Sequence, residues 1–274
     1  MSLENQRKGG SRMKCRYLGF ALFVIITFLL TNSSPVYSAD MTAYQIVKKS
    51  EDLLDQAKDS KADMLMILMN NKGEKRERTL SLFVKRYGNN KSKSIVFFNT
   101  PADVKGTSFL VWTNEKKEDK QWLYLPALQR VRQISSSGKG ESFMGTELTF
   151  YDMGSQDIDD YTYTLTKEEN VKSEQCYVIE ATPKKVEFYS KVVVWIRKGN
   201  FVPAKADFYD PKGQYQKQGL FENVKNIKGI NTPTHIEMHN VQNGRTTIID
   251  LSNIVYDSGL KDDIFTERYM TRGN

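Results

Sequence analysis

Glycine spacing constrains this chain more than any other feature. Gly199, Gly213, Gly229, Gly244 and Gly259 recur every 14 to 16 residues, each beside Asn, Lys, Asp or Ser. Between them lie residues 192–197, 203–209, 215–224, 234–240 and 246–256, all rich in β-branched, aromatic and aliphatic side chains. Long strands joined in sequence by tight turns form an antiparallel meander. The N-terminal half reads the same way, with runs at 62–70, 76–87, 92–99, 107–113 and 121–125 punctuated by Asn70-Asn71-Lys72-Gly73 and Gly88-Asn89-Asn90. About eleven or twelve strands are expected, in a mainly β fold with very little helix. A meander has two unpaired edges, so it must curl toward a barrel or be capped by helices.

The first 39 residues stand apart. Arg7, Lys8, Arg12, Lys14 and Arg16 precede an apolar run at 17–30, which gives way to a polar, small-residue stretch at 31–39. Basic, apolar, then small is the layout of a cleavable export signal, and a run of about 14 residues falls short of the roughly 20 that span a bilayer. Cleavage is expected after Ser38 or Ala39, with Met13 offering a second start. Residues 40–274 then form one domain in the periplasm. Cys15 leaves with the signal and Cys176, in a strand-like run, reads as a buried small hydrophobe. The mature chain carries 35 basic and 32 acidic residues, interleaved rather than massed. That distribution argues against nucleic acid as a partner.

Two segments read as helical. Thr42 and Gln45 have capping-box spacing, and Ala43, Ile46, Val47, Leu53, Leu54 and Ala57 fall on one side of the helix that follows. Further on, Ser135 to Gly140 form a Gly/Ser hinge. Residues 141–153 after it space Phe143, Met144, Leu148, Phe150 and Tyr151 as a short apolar helix would. Both helices are candidates to cover the sheet.

The apolar pattern points to a ligand surface. Residues 76–87 alternate, with Leu80, Leu82 and Val84 on one face. Residues 64–69 are apolar on both faces, so Met64, Met66 and Leu68 or, after a one-residue slip, Leu65, Ile67 and Met69 would share that surface. Methionine adapts to variable apolar ligands and also fills ordinary cores. Phe143 and Leu148 of the lid complete the candidate apolar set. Arg130 and Arg132, on one face of a strand just before the hinge, are candidate polar contacts to a lipid phosphate or a partner's acidic groups, or face only water.

Catalytic patterns are weak. His235 and His239 lie four apart on a strand, roughly 13 Å, too far to share one metal ion. Ser136 and Lys139 match a Ser-x-x-Lys pair without its companion motifs. No cofactor and no enzymatic activity are expected.

Residues 103–112 (Asp-Val-Lys-Gly-Thr-Ser-Phe-Leu-Val-Trp), 121–127 (Gln-Trp-Leu-Tyr-Leu-Pro-Ala), Arg130-Val131-Arg132 and 145–152 (Gly-Thr-Glu-Leu-Thr-Phe-Tyr-Asp) resemble the LolA-like outer-membrane lipoprotein-sorting proteins. The resemblance implies a half-open antiparallel β-barrel whose concave apolar face is lidded by helices. It implies binding of lipid or lipoprotein acyl chains there by a monomeric carrier, with an inner-membrane lipid or lipoprotein exporter as a partner. It also implies an arginine on an early strand that latches the lid, and Arg76 and Arg78 lie in that region. A periplasmic sensor module binding a membrane partner, or an envelope hydrolase, are the alternative readings.

Overall fold

The computed structural model describes residues 41–54, 56–88, 91–114 and 117–272. The export segment read from the sequence lies outside the described residues. Helix α1 (Ala43–Leu54) opens the domain. Its capping box forms as the spacing requires: the Thr42 amide donates to Gln45 Oε1 at 2.8 Å and the Gln45 amide to Thr42 Oγ1 at 3.2 Å.

Six strands follow: β1 (Asp59–Met69), β2 (Lys75–Gly88), β3 (Lys91–Thr100), β4 (Ser108–Asn114), β5 (Lys117–Leu125) and β6 (Arg130–Gln133). After a long connection come β7 (Tyr161–Val171), β8 (Glu174–Pro183), β9 (Lys191–Arg197), β10 (Pro203–Tyr209), β11 (Tyr215–Ile227), β12 (Ile230–Asn240) and β13 (Arg245–Tyr256). The chain closes with the one-turn helix α2 (Glu267–Met270). The strand least visible in the sequence is β7, most of whose residues are exposed.

All thirteen strands form one antiparallel sheet in the order β6-β5-β4-β3-β2-β1-β13-β12-β11-β10-β9-β8-β7. Two up-and-down meanders are thus joined where β1 pairs with β13. Turn chemistry sets the C-terminal meander. Lys228 (φ 50°) and Gly229 (φ 87°) make a two-residue loop between the paired Ile227 and Ile230, the twist a right-handed hairpin needs. The free edges are β6 and β7, consecutive in sequence but at opposite ends of the sheet. Their connection, residues 134–160, therefore has to travel from one edge to the other.

That connection lies on one face. Phe109 on β4 packs against Phe143 and Phe150, while Lys217 on β11 reaches Asp152. Strands six places apart converge on the same ten residues, so the sheet curls around them. We call this the inner face and residues 139–155 the plug.

Helix α1 covers another part of the inner face. Ile46, fully buried, and Ala43 pack on Ile179 and Ile196, with Tyr163, Tyr177 and Val194 alongside. The pairings Val194–Ala206, Ala206–Gly219 and Gly219–Met238 carry that face across to Ile236, beside the plug. On the outer face, Ile95, Phe97, Leu110 and Trp122 are sealed by Phe265 and Met270 of the C-terminal segment. The Asp59 carboxylate holds that segment by accepting from the amides of Ser258, Gly259 and Leu260. Cys176 is buried with Val178 and Trp195, and burial pushes its thiol pKa up.

Candidate functional site

The inner face gathers most of the sequence-predicted apolar set into one cluster. Met64, Met66, Leu80 and Phe143 are buried there, with Leu68, Leu82 and Leu148 packed against them. Pairing of Met64 with Leu80 and of Ala62 with Leu82 fixes the parity of β1. Leu65, Ile67 and Met69 therefore lie on the outer face. Val84 shares the face of Leu82 but pairs with Ser60 and Ser94, near the end of the strand and away from the cluster.

The plug corrects the expectation of a second helix. Ser142 Oγ donates to the Thr146 carbonyl at 2.6 Å, and Thr146 Oγ1 to the Phe143 carbonyl at 2.7 Å. Met144 (φ 50°) and Gly145 (φ 77°) turn the chain, so that the Phe143 amide meets the Leu148 carbonyl and Ser142 bridges Thr149. Short hydroxyl side chains have captured the backbone groups a helix would need. The helical spacing of the apolar residues instead places Phe143 and Phe150 together, 5.7 Å between ring centres, over Phe109 and Phe98. The lid side chain Phe143 is completely buried, so it fills the space beneath it rather than roofing an open cavity.

Polar groups from strands far apart in sequence clasp the plug. Arg78, on β2 beside the Phe98 ring, donates to the Met144 carbonyl at 2.6 Å. Of the two early-strand arginines singled out in the sequence, Arg78 is the one that latches the plug. Lys217, 2% exposed, contacts Asp152 at 2.5 Å. Asp152 also accepts from the Tyr189 hydroxyl at 2.8 Å and from the Thr149 amide at 2.7 Å. Burial, and then the Asp152 charge, drive the Tyr189 phenol far above its ordinary pKa, which keeps it a donor. Glu147 is gripped by Arg245 at 3.0 Å and by the amides of Asn240 and Asn243, while its own N–H donates to Thr247 Oγ1. Gln121 on β5 donates to the Phe150 carbonyl at 2.9 Å. Sequence reading missed this clasp because its partners are 29 to 100 residues apart. One signal was present: Glu147, Thr149 and Asp152 interrupt an otherwise apolar stretch.

Arg130 and Arg132 are both exposed on edge strand β6, on the side of Leu125 and Leu123 with which they pair. Arg132 comes no nearer than 3.9 Å to Glu141. Ser136 and Lys139 share one carboxylate, Glu118, at 2.8 and 3.2 Å, a contact that ties the plug's entrance to β5. His235 lies between Asp250 (2.6 Å) and Glu237 (3.0 Å) on the outer face. Where the two free ends of the sheet approach, a cleft of about 830 Å³ opens. Most of the residues that line it are polar or charged, unlike those of the filled apolar face beside it.

Comparisons with known proteins agree with this architecture. A family model described only as an uncharacterised protein matches residues 90–272, more than half of the chain. A DUF1329-family protein from Desulfovibrio piger is 35% identical and superposes with a TM-score of 0.80, covering 83% of this chain and 97% of that one. A Vibrio parahaemolyticus structure described as an outer-membrane lipoprotein-sorting protein domain is 33% identical, also with a TM-score of 0.80, over 84% of this chain and 98% of its own. A LolA-superfamily protein from Nitrosomonas europaea is 25% identical with a TM-score of 0.66, over 84% and 99%. No curated protein matches. Sequence motifs, an open curled sheet and two relatives above 30% identity along nearly their whole length lead to one conclusion: this chain belongs to the LolA-like family of outer-membrane lipoprotein-sorting proteins.

Proposed function

We propose that the protein is an exported carrier of the cell envelope that binds acyl chains of lipids or lipoproteins on the inner face of its sheet. The reading rests on one feature: an apolar inner face covered by a non-helical segment that polar contacts, from Arg78, Gln121, Lys217 and Arg245, hold in place. A cover fastened this way can leave as a unit without unfolding a strand. Phe143 and Phe150 would vacate the surface formed by Met64, Met66, Leu80 and Phe109, and an acyl chain would take their place. Burial contributes about 0.8 kcal/mol per methylene, so ten methylenes give roughly 8 kcal/mol before association and plug-opening costs. Such binding needs no catalytic group.

The test uses a fluorescent fatty acid and protein isolated from its host envelope. Leu82→Asn places an amide on the half-buried part of the inner face. It should weaken uptake about tenfold or more, given the cost of burying an unpaired amide, while the fold survives. A wild-type protein that takes up no probe and carries no host lipid sinks the carrier reading. For export, N-terminal sequencing of the mature protein should begin at Ala39 or Asp40; an intact residue 17–30 segment in the membrane fraction is the contrary result.

A further inference from the structure

The cleft between the free ends of the sheet has a composition that an acyl-chain site does not require. Along β5, alternate residues Leu125, Leu123, Gln121 and Asp119 share the inner face, so the apolar cluster grades into the cleft along one strand. Across the gap, Tyr161 of β7 meets Tyr151 of the plug at 2.8 Å, and Tyr151 packs at a tilt against Phe188 with ring centres 4.4 Å apart. Six carboxylates line the cleft, Glu118, Asp119, Asp157, Asp159, Asp160 and Glu187, against three lysines, Lys139, Lys184 and Lys185.

An unmet hydrogen-bond demand lies in the same wall. Gln121 is completely buried; its Nε2 donates to the Phe150 carbonyl, and its Oε1 has no partner within the protein. The Phe150 carbonyl fixes the amide's orientation, because the reversed amide would set two acceptors together. A buried acceptor of this kind costs stability unless a donor arrives. Gly154 closes the wall here. A Cβ at that position would stand 2.7 Å from Asp119 Oδ2 and 2.9 Å from Gln121 Nε2, so the turn lies hard against both side chains.

We propose that this cleft is the headgroup site of the carried lipid and that it selects a headgroup bearing a primary ammonium. The inference rests on the carrier reading above. The ammonium N–H groups supply the donor for Gln121 Oε1 as the turn at Gly154 gives way. The excess of carboxylates carries the balancing charge, and the Phe188 ring offers a cation–π face. Lys184 and Lys185, at the rim, face the adjoining phosphate. The acyl chains then run along β5 toward Leu123 and the inner apolar cluster.

Native mass spectrometry of the full mature protein, after incubation with vesicles holding equal parts phosphatidylethanolamine, phosphatidylcholine and phosphatidylglycerol, tests this. The ethanolamine lipid should be captured about tenfold over the choline lipid, the ratio expected of one charge-assisted hydrogen bond that a trimethylammonium group cannot make. Gln121→Leu should bring that ratio toward one. Because Gln121 also holds Phe150, the Asp119→Asn/Asp160→Asn variant, which removes charge and keeps an acceptor for the Ser155 amide, provides a second reading. It should lower the ratio severalfold, through loss of ethanolamine-lipid capture. Equal capture of all three headgroups, or preference for choline, overturns the headgroup assignment and leaves the carrier intact. Soluble phosphoethanolamine that binds as tightly as the lipid overturns the lipid as its source. Capture of no lipid of any class overturns the carrier reading itself.

Discussion

Replacing Lys217 with methionine removes the cation that ties the plug to β11 while keeping the length of the side chain. Lys217 is 2% exposed, and the Asp152 side chain it contacts at 2.5 Å is 10% exposed. Solvent therefore screens little of the interaction. The lost partner leaves Asp152 with Tyr189 and Thr149 as donors but without a counter-charge. Stranding a buried charge in this way costs about 3–5 kcal/mol. If the plug opens as a unit, that cost falls on plug closure rather than on the sheet. The lower figure then reduces hydrogen-exchange protection about a hundredfold at the plug amides, since each 1.4 kcal/mol is a factor of ten. The amide that reports this directly is Glu147, which donates across the plug–sheet contact to Thr247 Oγ1. Amides pairing β1 with β13 should keep their wild-type protection. Adding Asp152→Asn, which removes the stranded charge, should restore part of the loss. Equal loss of protection in plug and strands, with a matching fall in Tm, would show that the plug is ordinary core and refute its independent opening.

Other predictions follow from the same contacts. Arg78→Gln removes the latch on the Met144 carbonyl; it should speed uptake of a fluorescent fatty acid in stopped flow, with the circular dichroism spectrum unchanged. Phe265→Ala opens a cavity under a fully buried side chain that seals the outer face, and should cost about 3–5 kcal/mol by urea denaturation. His235 titrates above its usual 6.5 because Glu237, and then Asp250, accept from its ring. A raised folded pKa means that the stability it contributes is complete below pH 6.5 and is lost as pH rises through the folded value. Tm should therefore fall across that interval, and His235→Gln should abolish the dependence.

The sequence by itself determined most of the strands and their turns. Glycine at regular intervals with alternating apolar residues is a local pattern, and local patterns fix hairpins. The capping box at Thr42 was legible for the same reason: both partners lie within one helical turn. The parity of β1 was not legible, because residues 64–69 are apolar on both faces and either register buries similar area. Cross-strand pairing, Met64 beside Leu80, decided it. The fate of residues 141–153 also belonged to the tertiary structure. Their apolar spacing suits a helix, yet Ser142 and Thr146 bind the backbone locally, and the strands offer Arg78, Lys217 and Arg245 as partners that a helix would not meet. β7 escaped notice because, at an edge, it needs an inward stripe of only Tyr161 and Tyr163 and leaves most of the rest to solvent. The cleft likewise exists only because the curl of the sheet brings β5 and β7, at opposite ends of the strand order, to face one another. Side-chain periodicity encodes which face of a strand is buried, but curvature, and the distant polar groups it brings together, arise from thirteen strands packing at once.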